Sequence, residues 1–275
     1  MLSVNTNTGA MVALQYLNQT QAQISTTQSA ISTGQKVASA KDDGATFAIA
    51  QNMRGNVAGY QAVSDSLSRA MSATDVAISA AQSISDLMIQ MKQKALSAAD
   101  TSLDTASRAA LNNDFTAMRD QIQTIVDNAS FNGFNLLDGK TSQIKALVST
   151  DGSSTVNVSA QTMALGQGVL INLASSGNIS TQANAKTMVS NVQKSLVAVN
   201  AALAKLSAGS KQYSIQLNFT SKLSDTLTSG IGHLVDADMA VESAKLTSLQ
   251  TKQQLGVQAL SIANSAPQSI LQLFQ

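Results

Sequence analysis

The sequence predicts a mainly α-helical protein: a long coiled-coil-like helical bundle with a small β-hairpin region, whose terminal helices pair in an assembly. Three observations predict it. The 275 residues hold one proline, Pro267, so almost nothing interrupts a helix. Apolar residues recur at alternating steps of three and four through most of the chain. Every charged side chain lies between Lys36 and Lys252, so the first 35 residues and the last 23 carry none, although both ends show helical apolar spacing. Ends that form helices without charge to hold them in water are built to be buried, and the partner implied is another copy of the same chain.

At the N-terminus, over 1–35, Ala10, Leu17, Ile24 and Ile31 repeat every seven residues. Gln21 and Gln28 among the companion positions make the stripe narrow and partly polar, so this helix is marginal alone. A central bundle is expected over 36–228. Asp42-Asp43-Gly44 reads as a helix N-cap, and beyond it Met53, Val57, Tyr60, Val63, Leu67, Met71, Thr74, Ile78, Ala81, Ile84, Met88, Met91 and Ala95 trace one stripe of a long helix. A polar break around Asp100 to Asp104 separates it from a second stripe, Leu111, Phe115, Met118, Ile122 and Ile125, expected to stop near Asn132-Gly133. Two antiparallel helices joined by a short loop are implied.

Between about 138 and 175 the period changes. Asp138-Gly139 and Asp151-Gly152 are turn signals, and Ile144, Ala146, Val148, then Val156 and Val158, alternate with period two, predicting a small hairpin. Helical spacing resumes from Met188 through Val192, Leu196, Val199, Leu203, Leu206, Tyr213 and Leu217 to Leu227. The last segment, 229–275, carries another thin stripe, Met239, Leu246, Leu249, Leu260, Ala263, Ile270 and Phe274, with Gln253 and Gly256 in its path and Pro267 near its end.

Composition removes several function classes. Aromatics are 3% and Trp is absent, which suits closely packed thin helices better than a pocket with aromatic walls. Seventeen Lys and Arg against sixteen Asp and Glu give no electrostatic reason to expect nucleic acid or an anionic membrane as partner. The absence of Cys excludes disulfides and thiol chemistry. No basic segment leads into an apolar run before a small-residue cleavage site, and no run of 18 apolar residues suggests a membrane span, so export is expected to use another route.

The chain resembles bacterial flagellin. The residues that carry the resemblance are Ser39-Ala40-Lys41-Asp42-Asp43 with Ala48-Ile49-Ala50, then Ser130 through Gly139, then Asp236-Ala237-Asp238-Met239-Ala240, and finally Gln253-Gln254, Ala263-Asn264, Pro267-Gln268 and Leu271. In that family variable outer domains are inserted in the middle, where about 40 residues stand here, so the chain is similar to a short flagellin of alpha-proteobacterial type. The resemblance implies a helical homopolymer forming the extracellular flagellar filament, with terminal helices as an inner tube and central helices as an outer one. It also implies export through the flagellum's own path, guarded by a secretion chaperone, and contact with hook-associated and cap proteins. A hook–filament junction protein or a non-flagellar coiled-coil adaptor are the alternatives. Where many flagellins carry an arginine-rich patch read by an innate receptor, this chain has Gln90 to Lys94.

No enzyme, cofactor or metal site is expected. His233 is the only histidine, no Gly-x-Ser-x-Gly elbow or His-Glu-x-x-His motif occurs, and Glu242 is the only glutamate. Asp42, Asp43, Asp236 and Asp238 read as helix caps or polar contacts rather than metal ligands. The subunit interface is expected at Leu14, Leu17, Ile24, Ile31, Leu246, Leu249, Leu260, Ile270, Leu271 and Phe274. Ser153, Ser154 and Thr155 are candidate glycan acceptors.

Overall fold

The computed structural model describes residues 6–272, with side chains described as far as Ser265. Five α-helices are present among them, α1 Thr8–Thr33, α2 Gly44–Ala98, α3 Thr105–Asn128, α4 Gln182–Val235 and α5 Met239–Gln272, with one 3-10 turn at Gly168–Leu170. Four short strands lie between α3 and α4, paired as two antiparallel hairpins: β1 Ser130–Phe131 with β2 Phe134–Asn135, and β3 Gln143–Leu147 with β4 Thr155–Ser159. The chain divides into two compact units. One is Asn56–Asp225; the other takes the residues up to Gly55 and those from Thr226 on.

In the central unit, α2 buries Val63, Leu67, Ala70, Thr74, Ala77, Ala81, Ile84, Met88, Met91, Ala95 and Ala98. The steps alternate four and three without a slip, the 3.5-residue period of a left-handed coiled coil. Helix α4 repeats it with Ala185, Met188, Val192, Ser195, Val199, Ala202, Leu206, Gly209 and Tyr213. The two run antiparallel, as the Lys92–Gln193, Ser85–Asn200 and Asp75–Ser210 hydrogen bonds show. The seam differs from the expected stripe at Ala70 and Ala77, which are buried where Met71 and Ile78 are only half-buried. Alanine keeps the helices close, and the larger neighbours pack at the flanks.

Helix α3 begins where Asp104 accepts a hydrogen bond from Ser107 N at 2.6 Å. It buries Phe115, Ile122 and Val126 against the same core. Lys94–Asp114 at 2.6 Å and Arg108 Nε to Ala98 O at 2.9 Å fix it beside α2. The predicted stop at Asn132-Gly133 is corrected: α3 ends at Asn128, and Asn132-Gly133 forms the β1–β2 turn. Both residues have positive φ, 49° and 82°, the conformation for which Asn-Gly is favoured in two-residue hairpins. Buried Asn135 holds the turn to the helix end, donating from Nδ2 to Val126 O at 2.7 Å.

The β3–β4 hairpin falls where the alternation predicts. Ile144, Ala146 and Val158 face the core, and Tyr213 Oη donates to Ile144 O at 2.9 Å. Its seat on α4 is Gly209, where a Cβ would stand 2.5 Å from Val158 Cγ2. The irregular segment after β4 packs Met163, Leu170, Leu173 and Ile179 into the core. Helix α4 is longer than the apolar stripe, and His233 lies exposed in its last turn rather than at a loop or helix start.

Candidate assembly surface

In the unit that contains the ends, α1 packs against α5. Asn7 caps α1, its Oδ1 accepting from Ala10 N at 3.0 Å. Gly34 ends the helix in the left-handed conformation, φ 71°, where glycine has no Cβ penalty. The chain then runs alongside the α4–α5 connection. Lys36 N and Val37 N donate to Val235 O, and Ala237 N donates to Gly34 O. Val37, Ala50 and Val235, with Phe47, Ile231 and Leu234, form a small core beneath this crossing.

The four predicted aspartates all lie here. Asp43 starts α2 by accepting from Ala45 N, Thr46 N and Thr46 Oγ1. Asp238 starts α5 by accepting from Ala240 N and Val241 N. Asp42 instead closes the turn before α2, accepting from Ala38 N, Ser39 N and Ser39 Oγ. These bonds lower two carboxyls below the usual range, Asp42 through the Ser39 backbone and side chain first and Asp43 through Thr46 first. Asp236 bridges to Gln35, and its carboxylate stands 2.7 Å from where a Cβ on Gly232 would be. Among the described residues no cluster of three His, Cys, Asp or Glu is suited to a metal ion, and no helix is long and apolar enough to cross a membrane.

The α1–α5 pair repeats the heptad spacing but covers it thinly. Ile24 and Leu249 are buried, each 4% exposed, while Leu17, Ile31, Leu246 and Leu260 are half-buried. Leu14 is 47% exposed. The side chains of Ile270 and Leu271, and Phe274 altogether, lie outside the described residues. Glutamine and glycine fill the seam: Gln253 donates to Gln21 Oε1 at 2.6 Å, and Leu17 Cδ1 lies 3.4 Å from where a Cβ on Gly256 would stand. Thr27 Oγ1 is buried there with no partner.

Pro267 does not end α5, which continues to Gln272. A proline removes the N–H that would have bonded the carbonyl four residues earlier, that of Ala263. Asn7 Nδ2 donates to that carbonyl at 2.7 Å, so the residue that caps α1 also fills the gap in α5.

Away from the seam, Met11, Val12, Tyr16, Val241, Leu255, Val257 and Ile262 are exposed, together with Met239 from the expected stripe. None of these was among the predicted contact residues, because the heptad reading follows only the seam. The signal that finds them is a large apolar residue off the stripe on a helix with little or no charge. The arrangement can bury more apolar surface against further helices. At the tip of the β3–β4 hairpin, Ser153, Ser154 and Thr155 are exposed, with Ser153 Oγ donating to Asp151.

Comparison with known proteins places both helical parts. Residues 4–142 match the bacterial flagellin N-terminal helical region and residues 189–274 the bacterial flagellin C-terminal helical region. Flagellin FljK of Caulobacter vibrioides is 50% identical over 99% of this chain and 98% of its own length. A flagellin of Brucella melitensis is 34% identical over the whole of both chains. The solved structure of a putative flagellar hook-associated protein from Vibrio parahaemolyticus shares the fold with a TM-score of 0.58 at 13% identity, over 71% of this chain and all of that one. With both helical regions matched and relatives this similar along its full length, the chain belongs to the bacterial flagellins.

Proposed function

We propose that this flagellin polymerises by burying the exposed faces of its paired end helices against other copies. The chain is a structural subunit of the flagellar filament and works by assembling with itself. The observation that carries the proposed contact is the set of large apolar side chains on α1 and α5 left in solvent on helices with almost no charge. Burying one Leu or Ile gives roughly 1.5 to 3 kcal/mol, so several per subunit offset the freedom lost on association. Leu14, Leu17, Leu246, Leu260, Ile270, Leu271 and Phe274 belong to this contact, with Ile24, Ile31 and Leu249 holding the pair that presents it.

The subunit turns over no substrate. It leaves the cell by the flagellar export path with a chaperone on its C-terminal segment, meets hook-associated and cap proteins at the filament ends, and carries any O-linked glycan at Ser153, Ser154 or Thr155. Electron microscopy of the purified full chain tests the assembly reading. Long filaments are expected from the natural sequence and none from a variant with Leu14→Ser, Leu255→Ser and Ile262→Ser that keeps its helical circular dichroism. Filaments from that variant overturn the proposed contact, and a small closed oligomer from the natural sequence favours a coiled-coil adaptor.

A further inference from the structure

The register of the β3–β4 hairpin leaves one strand edge open in the central unit. Ala160 N donates to Ser142 O and Val148 N to Ser154 O, so the even-numbered positions of β3 exchange hydrogen bonds with β4. In an antiparallel pair the odd positions then turn their backbone groups the other way. Leu147 N follows this rule and donates to Ser66 Oγ of α2 at 3.1 Å. The N–H groups of Gln143 and Lys145 have no partner among the described residues, and they border a groove.

That groove has a volume of about 530 Å³ and lies between β3, the β1–β2 turn and α2, with Ala70 and Ala73 among its lining residues. Phe131 and Phe134 line one side, Phe134 being 54% exposed. Arg69 and Lys145 line it as well, and neither forms an ion pair among the described residues. Asp65, one turn before Arg69 on α2, accepts from Gln61 instead. The groove thus offers two strand-edge donors, an aromatic wall and two uncompensated positive charges.

We infer that this groove is a docking site for an extended acidic segment of another protein, which adds to β3 as a third strand. Main-chain acceptors of the segment would take the Gln143 and Lys145 N–H groups, and its carboxylates would face Arg69 and Lys145. A second copy pairing by its own β3 is disfavoured. Edge-to-edge pairing centred on this strand would set Lys145 opposite Lys145, the arrangement by which strand edges resist joining their own kind. The site is built from residues of the central unit and does not rest on how the end helices assemble.

The test uses the full chain, dilute enough to remain unassembled, and two capped heptapeptides: one alternates aspartate with valine, the other lysine with valine. The aspartate peptide is expected to bind and slow amide exchange of Gln143 and Lys145 by about tenfold or more. The lysine peptide is expected not to bind. Arg69→Glu, which leaves the ladder untouched, is expected to weaken the aspartate peptide by about tenfold. Lys145→Pro removes an N–H that faces the open edge and is expected to weaken binding more than Lys145→Gln, which removes only the charge. Equal binding of both peptides, unchanged exchange at Gln143 and Lys145, or no effect of Arg69→Glu overturns the inference. So does a folded Arg69→Glu chain that has lost its ability to form filaments, because the groove would then belong to a contact between copies.

Discussion

The α2–α4 seam of the central unit and the α1–α5 seam of the end unit follow the same alternation of four and three, yet one is dry along its length and the other is not. From Val63 to Ala98 every seam position of α2 is buried, whereas described α5 buries Leu249 alone. Spacing chooses which face of a helix meets its partner; burial depends on what else covers the pair. In the central unit α3, the β3–β4 hairpin and the segment after it supply that cover. Among the described residues the end pair is covered by its own two helices alone, and its other faces carry exposed apolar residues.

The largest test of this contrast is amide exchange in the unassembled chain. Amides of Val63 to Ala98 are expected to exchange at least about a thousandfold more slowly than those of α1 and α5. Equal protection would break the comparison. Assembly into filaments should slow the end helices and barely change the centre.

Single substitutions sharpen it. Met88→Ala empties a fully buried seam position and is expected to cost about 2 to 5 kcal/mol in urea unfolding. Leu14→Ala should change monomer stability by less than about 0.5 kcal/mol while raising the concentration needed for polymer growth. Gly209→Ala forces a Cβ to within 2.5 Å of Val158 Cγ2, and the resulting shift of the hairpin is expected to cost about 1 to 3 kcal/mol.

Alkaline pH probes the same core. Burial pushes the Tyr213 phenol up to about 12 from 10.0. The folded state therefore holds this proton more tightly than the unfolded one. The resulting stability is fully present below about pH 10 and is lost as the pH climbs towards 12. Tyr213→Phe should remove that part of the pH dependence, measured as the change in urea midpoint between pH 8 and pH 11. A local effect belongs to the end pair: Asn7→Ala uncaps α1 and leaves the Ala263 carbonyl without its donor, costing about 1 kcal/mol in pairing of the ends. Faster exchange confined to the start of α1 and the α5 turn at Ala263 would report it.

The helical architecture was legible because heptad spacing survives in the bare sequence, as did the β3–β4 hairpin through its period-two run. Ala70 and Ala77 were passed over because a stripe read by size favours Met71 and Ile78, although closeness of approach is what seats a residue in the seam. Asn132-Gly133 supports either a helix stop or a hairpin turn, and only the pairing of Phe131 with Phe134 decides between them. Of the expected contact residues, Leu14 lies exposed, while Ile24 and Leu249 lie inside the pair. A one-dimensional stripe cannot separate a helix's own partner from a neighbour's. The open edge of β3 had no sequence signal, since it follows from which of two registers the ladder adopts.

The bond from Asn7 to the carbonyl that Pro267 leaves free joins residues 256 positions apart. Closing so long a loop is slow compared with winding a helix or zipping a five-residue hairpin. The central helices and hairpins can therefore form while either extremity is still free, and the clasp between the extremities must come last. A chain threaded from one end meets the same order: nothing completes the clasp until both Asn7 and Ala263 have arrived.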